Sequence, residues 1–270
     1  VGLVGMLAGD MIQEGVTLGF AGVTLYFSVP VIVILMLIVG CLIGAINGLI
    51  ITKLNVAPFI TTLGTMYICR GFASLRSGGA TFSDITGYEG LGNVGFKALG
   101  SNFASIPAGV YVFAVLAVVS VILLKKVPFG WYVLAVGGNE KSARLSGIKA
   151  DKIKILVYMI SGFCAAWAGM INTAQLSAAH PASGDSWEMN AIAATVLGGT
   201  SMAGGSGTIL GTVVGAFVIG VINDGMTMCG VSEFWQQVIR GAVIILAVVI
   251  DQVQRNMQAR MALQARNENK

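Results

Sequence analysis

The residue types that do chemistry are sparse in this chain, and the groups they form argue against a reaction centre. His180 is the single histidine, so a site built from several imidazoles is excluded. Beside Pro181 it reads as a satisfied loop residue. Cys41, Cys69, Cys164 and Cys229 are scattered in or beside apolar stretches, without a CxxC pair. They read as small buried hydrophobes. The run Gly198-Gly199-Thr200-Ser201-Met202-Ala203-Gly204-Gly205-Ser206-Gly207 has the glycine content of a phosphate loop. A GxxxxGK[ST] loop, however, needs its lysine on the phosphates, and no lysine lies in 198–207. The run therefore reads as a tight bend between helices, hinged at Gly198, Gly199, Gly204 and Gly205. The chain is not expected to bind ATP or another cofactor itself.

Hydrogen bonding to a passing polar solute is a different chemistry. It is open to Asn47, Asn172, Gln175, Asn190, Thr195 and Asn223, all in or beside apolar runs. Polar groups within a membrane are costly and turn toward a cavity or a partner helix. These six are candidates for a translocation path, with interhelical hydrogen bonding as the alternative role for each. Asn172 and Gln175 are three apart and share a helix face. Asp224 and Arg240 fall near the ends of adjacent spans, where each can reach the interface or pair with the other. Trp131 and Trp235 sit at span edges and read as interfacial anchors.

A third group lies in residues 125–154. Lys125, Lys126, Lys141, Arg144, Lys149, Lys152 and Lys154 stand there against Glu140 and Asp151. Within this loop Asn139 is a good helix N-cap, Glu140 suits a first turn, and Gly147 suits the position just past a helix end. A two-turn helix is expected, spanning Asn139 to Gly147 with Ala143, Arg144, Leu145 and Ser146 in it. So short a helix is unstable alone in water, which fits one held by a partner protein. A plain surface helix is the alternative.

The elements that position these groups follow from composition. Of 270 residues, 56% are hydrophobic and 10% charged, and mean hydropathy is +0.84. A soluble domain carries about 25% charged residues; a surface facing lipid needs none. Spans of about 20 apolar residues cross a bilayer as helices. They are expected at Val29–Thr52, Ala57–Leu75, Pro107–Leu124, Ile155–Gln175, Thr208–Ile222 and Phe234–Ile250. A partial span is expected at Val1–Met11 and a weaker one at Met189–Leu197. The fold class is thus all-α polytopic membrane protein, with about seven to eight transmembrane helices. A transmembrane domain covers 1–251 and a polar tail 252–270. Between Ser77 and Ile106 lies a Gly-rich polar stretch whose charges are Lys97, Asp84 and Glu89. Lys and Arg concentrate on the cytoplasmic side, so the 125–154 loop and the tail both belong inside. Four crossings separate them if Met189–Leu197 spans, and the two assignments agree. Gly40, Gly44 and Gly48 line one helix face, as do Gly211 and Gly215, and such faces let backbones approach closely. The net charge of +4 is explained by this placement rather than by a nucleic-acid partner.

Three strings carry a family resemblance. The loop Gly137-Gly138-Asn139-Glu140-Lys141-Ser142-Ala143-Arg144-Leu145-Ser146-Gly147-Ile148, with Lys152-Ile153-Lys154 behind it, resembles the coupling loop of ATP-binding-cassette importer permeases of the ribose/monosaccharide class. The string from Ala191 to Thr208 resembles the same family, as does Ala57-Pro58-Phe59-Ile60-Thr61-Thr62-Leu63-Gly64-Thr65 followed by Arg70-Gly71. In this order the matches cover about residues 40 to 251. The resemblance implies a fold of about ten spans, so that roughly two and a part precede Val1, where the chain opens without Met inside an apolar run. It implies a second permease copy, identical or homologous. It further implies cytoplasmic ATPase subunits that bind the ATP and grip the helix from Asn139 to Gly147, with Arg144 against their acidic residues. A periplasmic binding protein would deliver the sugar, and the location would be the bacterial inner membrane. A permease of the same superfamily for nucleosides or branched-chain amino acids is the nearest alternative. An ion-coupled transporter would need intramembrane acids, of which only Asp224 is near. A membrane enzyme would need a His, Asp or Glu constellation.

Overall fold

The computed structural model describes residues 1–18, 23–87, 94–103 and 105–268, and among them ten α-helices alternate with short strand pairs. Glu89 and Lys270 lie outside the described residues, as do the side chains of Arg255, Arg260 and Arg266. The chain divides into two compact units, residues 1–115 with 149–185 and residues 116–148 with 186–270.

In the first unit the central pair is α2 (Val29–Lys53) and α7 (Ala150–Leu176). Helix α2 is apolar on every side, so burial cannot be read from polarity. Side-chain size decides instead. Ile34, Ile38, Leu42 and Ile46 are exposed, on the face left to lipid or a neighbour, while Gly40, Gly44 and Gly48 are buried. A Cβ on Gly40 would stand 2.5 Å from the carbonyl oxygen of Gly162, and one on Gly48 would stand 2.7 Å from Ile155 Cα. At Gly44 a Cβ would run into the Tyr158 carbonyl. The backbones of two antiparallel helices therefore touch along three turns, so the Gly40, Gly44 and Gly48 face is a packing face.

Around this pair sit α1 (Gly2–Gln13) and α3 (Pro58–Ser77). Helix α1 was expected as part of a span. Most of it is buried, and Val4, Met6, Ala8 and Ile12 join Ile32, Met36, Phe96 and Met170 in the core of this unit. It also carries a buried charge. Asp10, 5% exposed, accepts a 2.8 Å hydrogen bond from Arg76 Nε at the end of α3. The Arg76 guanidinium is charged at any physiological pH, so the buried Asp10 carboxylate has a permanent cation beside it. Arg70 of α3 pairs with Asp185 at 2.8 Å. Both arginines thus tie α3 to segments far away in sequence. Helix α3 itself begins at Pro58 and ends at Gly78, whose φ of 59° lets Gly79 N–H reach back to the Ser74 carbonyl.

The polar stretch after α3 folds as small pieces. Strand β3 (Phe82–Ser83) pairs antiparallel with β6 (Ala178–Ala179), Phe82 opposite Ala179. A 3₁₀ turn at Phe96–Leu99 follows, then β4 (Asn102–Phe103) paired with β5 (Ile106–Pro107). Near the chain start β1 (Val16–Leu18) and β2 (Val23–Leu25) form another antiparallel pair. Helix α4 (Ala108–Lys125) runs from the first unit into the second, and none of its residues is buried.

The second unit departs from expectation in three places. Residues 128–138, expected within a basic loop, form an apolar helix, α5 (Pro128–Gly138). The weak span is α8 (Trp187–Leu197), only 11 residues long. That is about 16 Å of helix against about 30 Å of hydrocarbon, so α8 does not cross alone. The last helix outruns its expected span, since α10 runs from Glu233 to Glu268 as one helix of 36 residues and takes in most of the polar tail. With α8 this short, the expected count of four crossings no longer follows from span length. The bend 198–207 rests on the end of α5. From that bend α9 (Ile209–Met228) runs away for 20 residues, and α10 returns after a short turn. The bend and the tail therefore share a face.

Helices α2, α4, α7 and α9 are each long and apolar enough to cross a membrane. The cysteines differ from expectation: Cys41, Cys69 and Cys164 are half-buried and Cys229 is exposed. His180 is a satisfied loop residue, its Nδ1 accepting from Ala182 N–H at 3.0 Å.

Replacing Gly44 by leucine should separate α2 from α7. It should destabilise the detergent-solubilised protein by about 1–3 kcal/mol or more, the range for overpacking. Gly64→Leu, where a Cβ meets nothing within 4 Å, should change stability by about 0.5 kcal/mol at most. Thermal unfolding of the two variants beside the parent checks both.

Candidate functional site: a capped loop helix seated beside a glycine bend

The helix expected in the basic loop is present as α6 (Glu140–Leu145), and both of its ends are built as the sequence specifies. Asn139 Oδ1 accepts the Ser142 N–H at 3.0 Å, which satisfies an amide that the first turn leaves orphaned. At the other end Gly147 has φ 84°. This allows Gly147 N–H to bond the Arg144 carbonyl at 3.0 Å and Ile148 N–H to bond the Ala143 carbonyl at 3.1 Å. That pair of bonds closes a Schellman motif. Arg144 Nη2 also donates to Glu140 Oε1 at 2.9 Å, one turn back. Six residues are too few for a helix to persist on propensity, and here caps and an internal ion pair hold it.

The two apolar side chains of α6 face opposite ways. Ala143 is buried, while Leu145 is 90% exposed. Among the described residues nothing covers Leu145.

The bend at 198–207 is packed against the helix that leads into α6. A Cβ on Gly137 would stand 2.8 Å from Gly205 N, and one on Gly204 would stand 2.5 Å from the Gly137 oxygen. Four glycine backbones, Gly137, Gly138, Gly204 and Gly205, meet there. Gly204 and Gly205 sit at φ 87° and 79°, values that favour glycine. The bend is also closed within itself, by Ser201 N–H to the Ser206 carbonyl and Gly204 N–H to the Ser201 carbonyl, both 3.0 Å. On its far side Gly211 and Gly215 of α9 press on Gly198 and Ala194 of α8, and Thr208 Oγ1 caps α9 through Gly211 N–H at 3.1 Å. The hinge glycines of the sequence reading therefore split. Gly198, Gly204 and Gly205 are contact points, while a Cβ on Gly199 would meet nothing within 4 Å.

The six path candidates separate as well. Asn47 Oδ1 accepts from Thr65 Oγ1 at 2.6 Å, which joins α2 to α3. Thr195 Oγ1 donates to the Ile192 carbonyl of its own helix at 2.8 Å. Asn172 and Gln175 stand on α7 in the first unit. Asn190 and Asn223 come together in the second unit at one cavity, with Arg240. Asp224 and Arg240 form no ion pair among the described residues; Arg240 Nη2 donates to Gln236 Oε1 instead, at 3.1 Å. The sequence reading missed Asp10 with Arg76, which lie 66 positions apart and carry no local spacing signal, and it overlooked Gln236 with Arg240, an i,i+4 pair on one helix face.

Helices that put glycine inward and bulky apolar side chains outward define an all-α polytopic membrane protein. The model of a permease family, "Branched-chain amino acid transport system / permease component", matches residues 2–248. The chain belongs to that family. It is similar to the ribose import permease protein of Bacillus subtilis strain 168, at 44% identity over 76% of this chain and 62% of the relative. It is also similar to the ribose import permease protein of Haemophilus influenzae, at 36% over 91% of this chain and 77% of the relative. The galactose/methyl galactoside import permease protein of Escherichia coli K12 is 40% identical over 83% and 68%. The chain thus spans less than two thirds of the Bacillus relative's length. No solved structure matches it.

Alanine at Gly204 or Gly199 should cost about 1–2 kcal/mol for the left-handed backbone. Only Gly204→Ala adds a collision with Gly137, so it should be the less stable of the two. Their unfolding midpoints in detergent check the order.

Proposed function

We propose that the chain is the membrane-spanning permease subunit of an ATP-driven importer for a monosaccharide, and that α6 is the element through which a separate cytoplasmic ATPase drives it. The observation that carries this reading is Leu145, 90% exposed on a helix capped at both ends. A rigid, charged helix with one apolar knob suits a groove in another protein. Burying one leucine there contributes about 1.5–3 kcal/mol, and Arg144 adds a guanidinium for acidic residues on the groove wall. The glycine contact between 137–138 and 204–205 gives such a push a short route into the α8–α9 bend. Because the four backbones meet without side chains between them, displacement of α5 and α6 is transmitted rather than absorbed. The transport energy is assigned to that partner's ATP, and the chain itself holds no cofactor.

Sugar as cargo is supported by relatives that carry ribose and galactose in their names. A periplasmic binding protein would supply it, and a second permease copy would complete the pathway. The basic residues around α6 favour the cytoplasmic side of a bacterial inner membrane for this face.

Leu145→Glu should abolish sugar uptake by cells that carry the complete transporter, while the protein still reaches the membrane. Normal uptake by that variant would remove α6 from the drive. A Ser142→Cys protein should react with a membrane-impermeant maleimide only from the cytoplasmic side. Labelling in intact cells would reverse the orientation.

A further inference from the structure

The second unit holds a polar site inside its apolar helices. A cavity between α8, α9 and α10 is lined by Asn190, Asn223 and Arg240, with Ala193, Ile219 and Val243 as its apolar wall. Arg240 lies inside the apolar stretch Phe234–Ile250, about 10 Å along α10 from its start. A guanidinium at that depth is costly unless it faces partners or a water-filled space, and such residues mark solute paths. No carboxylate pairs with it among the described residues.

Its orientation is fixed from behind. Arg240 Nη2 donates to Gln236 Oε1 at 3.1 Å, and the buried Gln236 in turn donates from Nε2 to the Val231 carbonyl at 2.9 Å. Gln236 is thereby anchored to the α9–α10 turn and holds one edge of the guanidinium. The other edge, Nε, is buried without a hydrogen-bond partner among the described residues, and so is Asn223 Oδ1. One is a donor and the other an acceptor, and both residues line the same cavity. A hydroxyl has the chemistry to match both, as an acceptor for Arg240 Nε–H and a donor to Asn223 Oδ1. Asn190 adds an amide on the α8 side. The cavity has room for about one water molecule, the size of one hydroxyl group rather than of a whole solute.

We propose that Arg240, Asn223 and Asn190 form a hydroxyl-binding station on the transport path, where one hydroxyl of a polyhydroxylated solute takes the place of water as the solute passes. This rests on the sugar-import reading above. The chemistry selects neutral polyols. An apolar or β-branched side chain offers nothing to Nε and Oδ1, and leaves two buried polar groups unsatisfied at a cost the solute must bear. A passing hydroxyl meets no net loss relative to water, which is what a step on a path requires, as distinct from a tight binding site.

Asn223→Asp tests it. The new carboxylate gives Arg240 an internal partner and closes the station, so the protein should be as stable as the parent or more so. Uptake of radiolabelled D-ribose and D-galactose per folded transporter, in proteoliposomes with the complete system, should fall about tenfold. A stable Asn223→Asp transporter with uptake within about twofold of the parent overturns the proposal and leaves the cluster as a water-bridged structural joint. Asn223→Leu, of similar size and without the acceptor, is the second variant. If it folds, uptake should fall as far, and if neither variant folds the cluster belongs to the fold and the proposal is overturned. A parent transporter that moves neither sugar overturns the sugar reading instead, and the station with it.

Discussion

Backbone contact at glycine is the constraint on which both units depend. In water, two helices are driven together by hiding apolar side chains. In a bilayer the lipid is as apolar as leucine, so association must come from close fit and from hydrogen bonds. Here α2 meets α7 through Gly40, Gly44, Gly48 and Gly162, and α8 meets α9 through Gly198, Gly211 and Gly215. The same device recurs outside the helices, where Gly137 and Gly138 touch Gly204 and Gly205. A methyl group at most of these positions lacks space, so the contacts are all or none. That stiffness suits a protein in which a force applied at one loop has to reach a bend between helices.

Polar groups are placed with the economy that such an interior demands. Asp10, the buried acid of the first unit, is met by Arg76. Asn47 is used between helices and Thr195 within its own helix. Buried atoms without a partner among the described residues remain at Asp10 Oδ1, Gln13 Oε1 and Thr173 Oγ1 in the first unit and at Asn223 Oδ1 and Arg240 Nε in the second, where both residues line one cavity. The loop helix α6 shows the opposite arrangement. Its ends are capped by Asn139 and Gly147, Glu140 and Arg144 pair along one turn, and among its polar side chains it exposes a leucine. One site takes its partner by hydrogen bonds in an apolar setting, and the other presents an apolar knob in a polar setting.

Much of α6 was legible in the sequence because its signals are local. Asn139 and Gly147 bracket a two-turn segment, and caps act on amides and carbonyls within four residues of themselves. The glycine face at 40, 44 and 48 was legible for a similar reason, since a spacing of four repeats one helix face. What lay across it was not. The identity of α7 as the partner, and of Gly162, Tyr158 and Ile155 as the contacts, depends on residues more than a hundred positions away. Helix α5 was hidden inside a stretch whose lysines and arginines drew attention to its charge. The half-length α8 read as a weak span because an apolar run of that size is common to short buried helices and to true crossings.

The sequence by itself determined the class of protein, the rough number of apolar helices, the caps of α6, the glycine faces and the resemblance to sugar permeases. Each rests on composition, or on residues that act within a turn or two of their neighbours. Only the tertiary structure decided which glycines touch and that Gly199 touches nothing. It also decided that α1 is packed into the core of its unit, and that Asn190 and Asn223 share a cavity with Arg240. Those outcomes depend on how distant helices lie against one another. In a chain whose helices are apolar on every side, polarity does not say which face is inward, and close packing of small residues does.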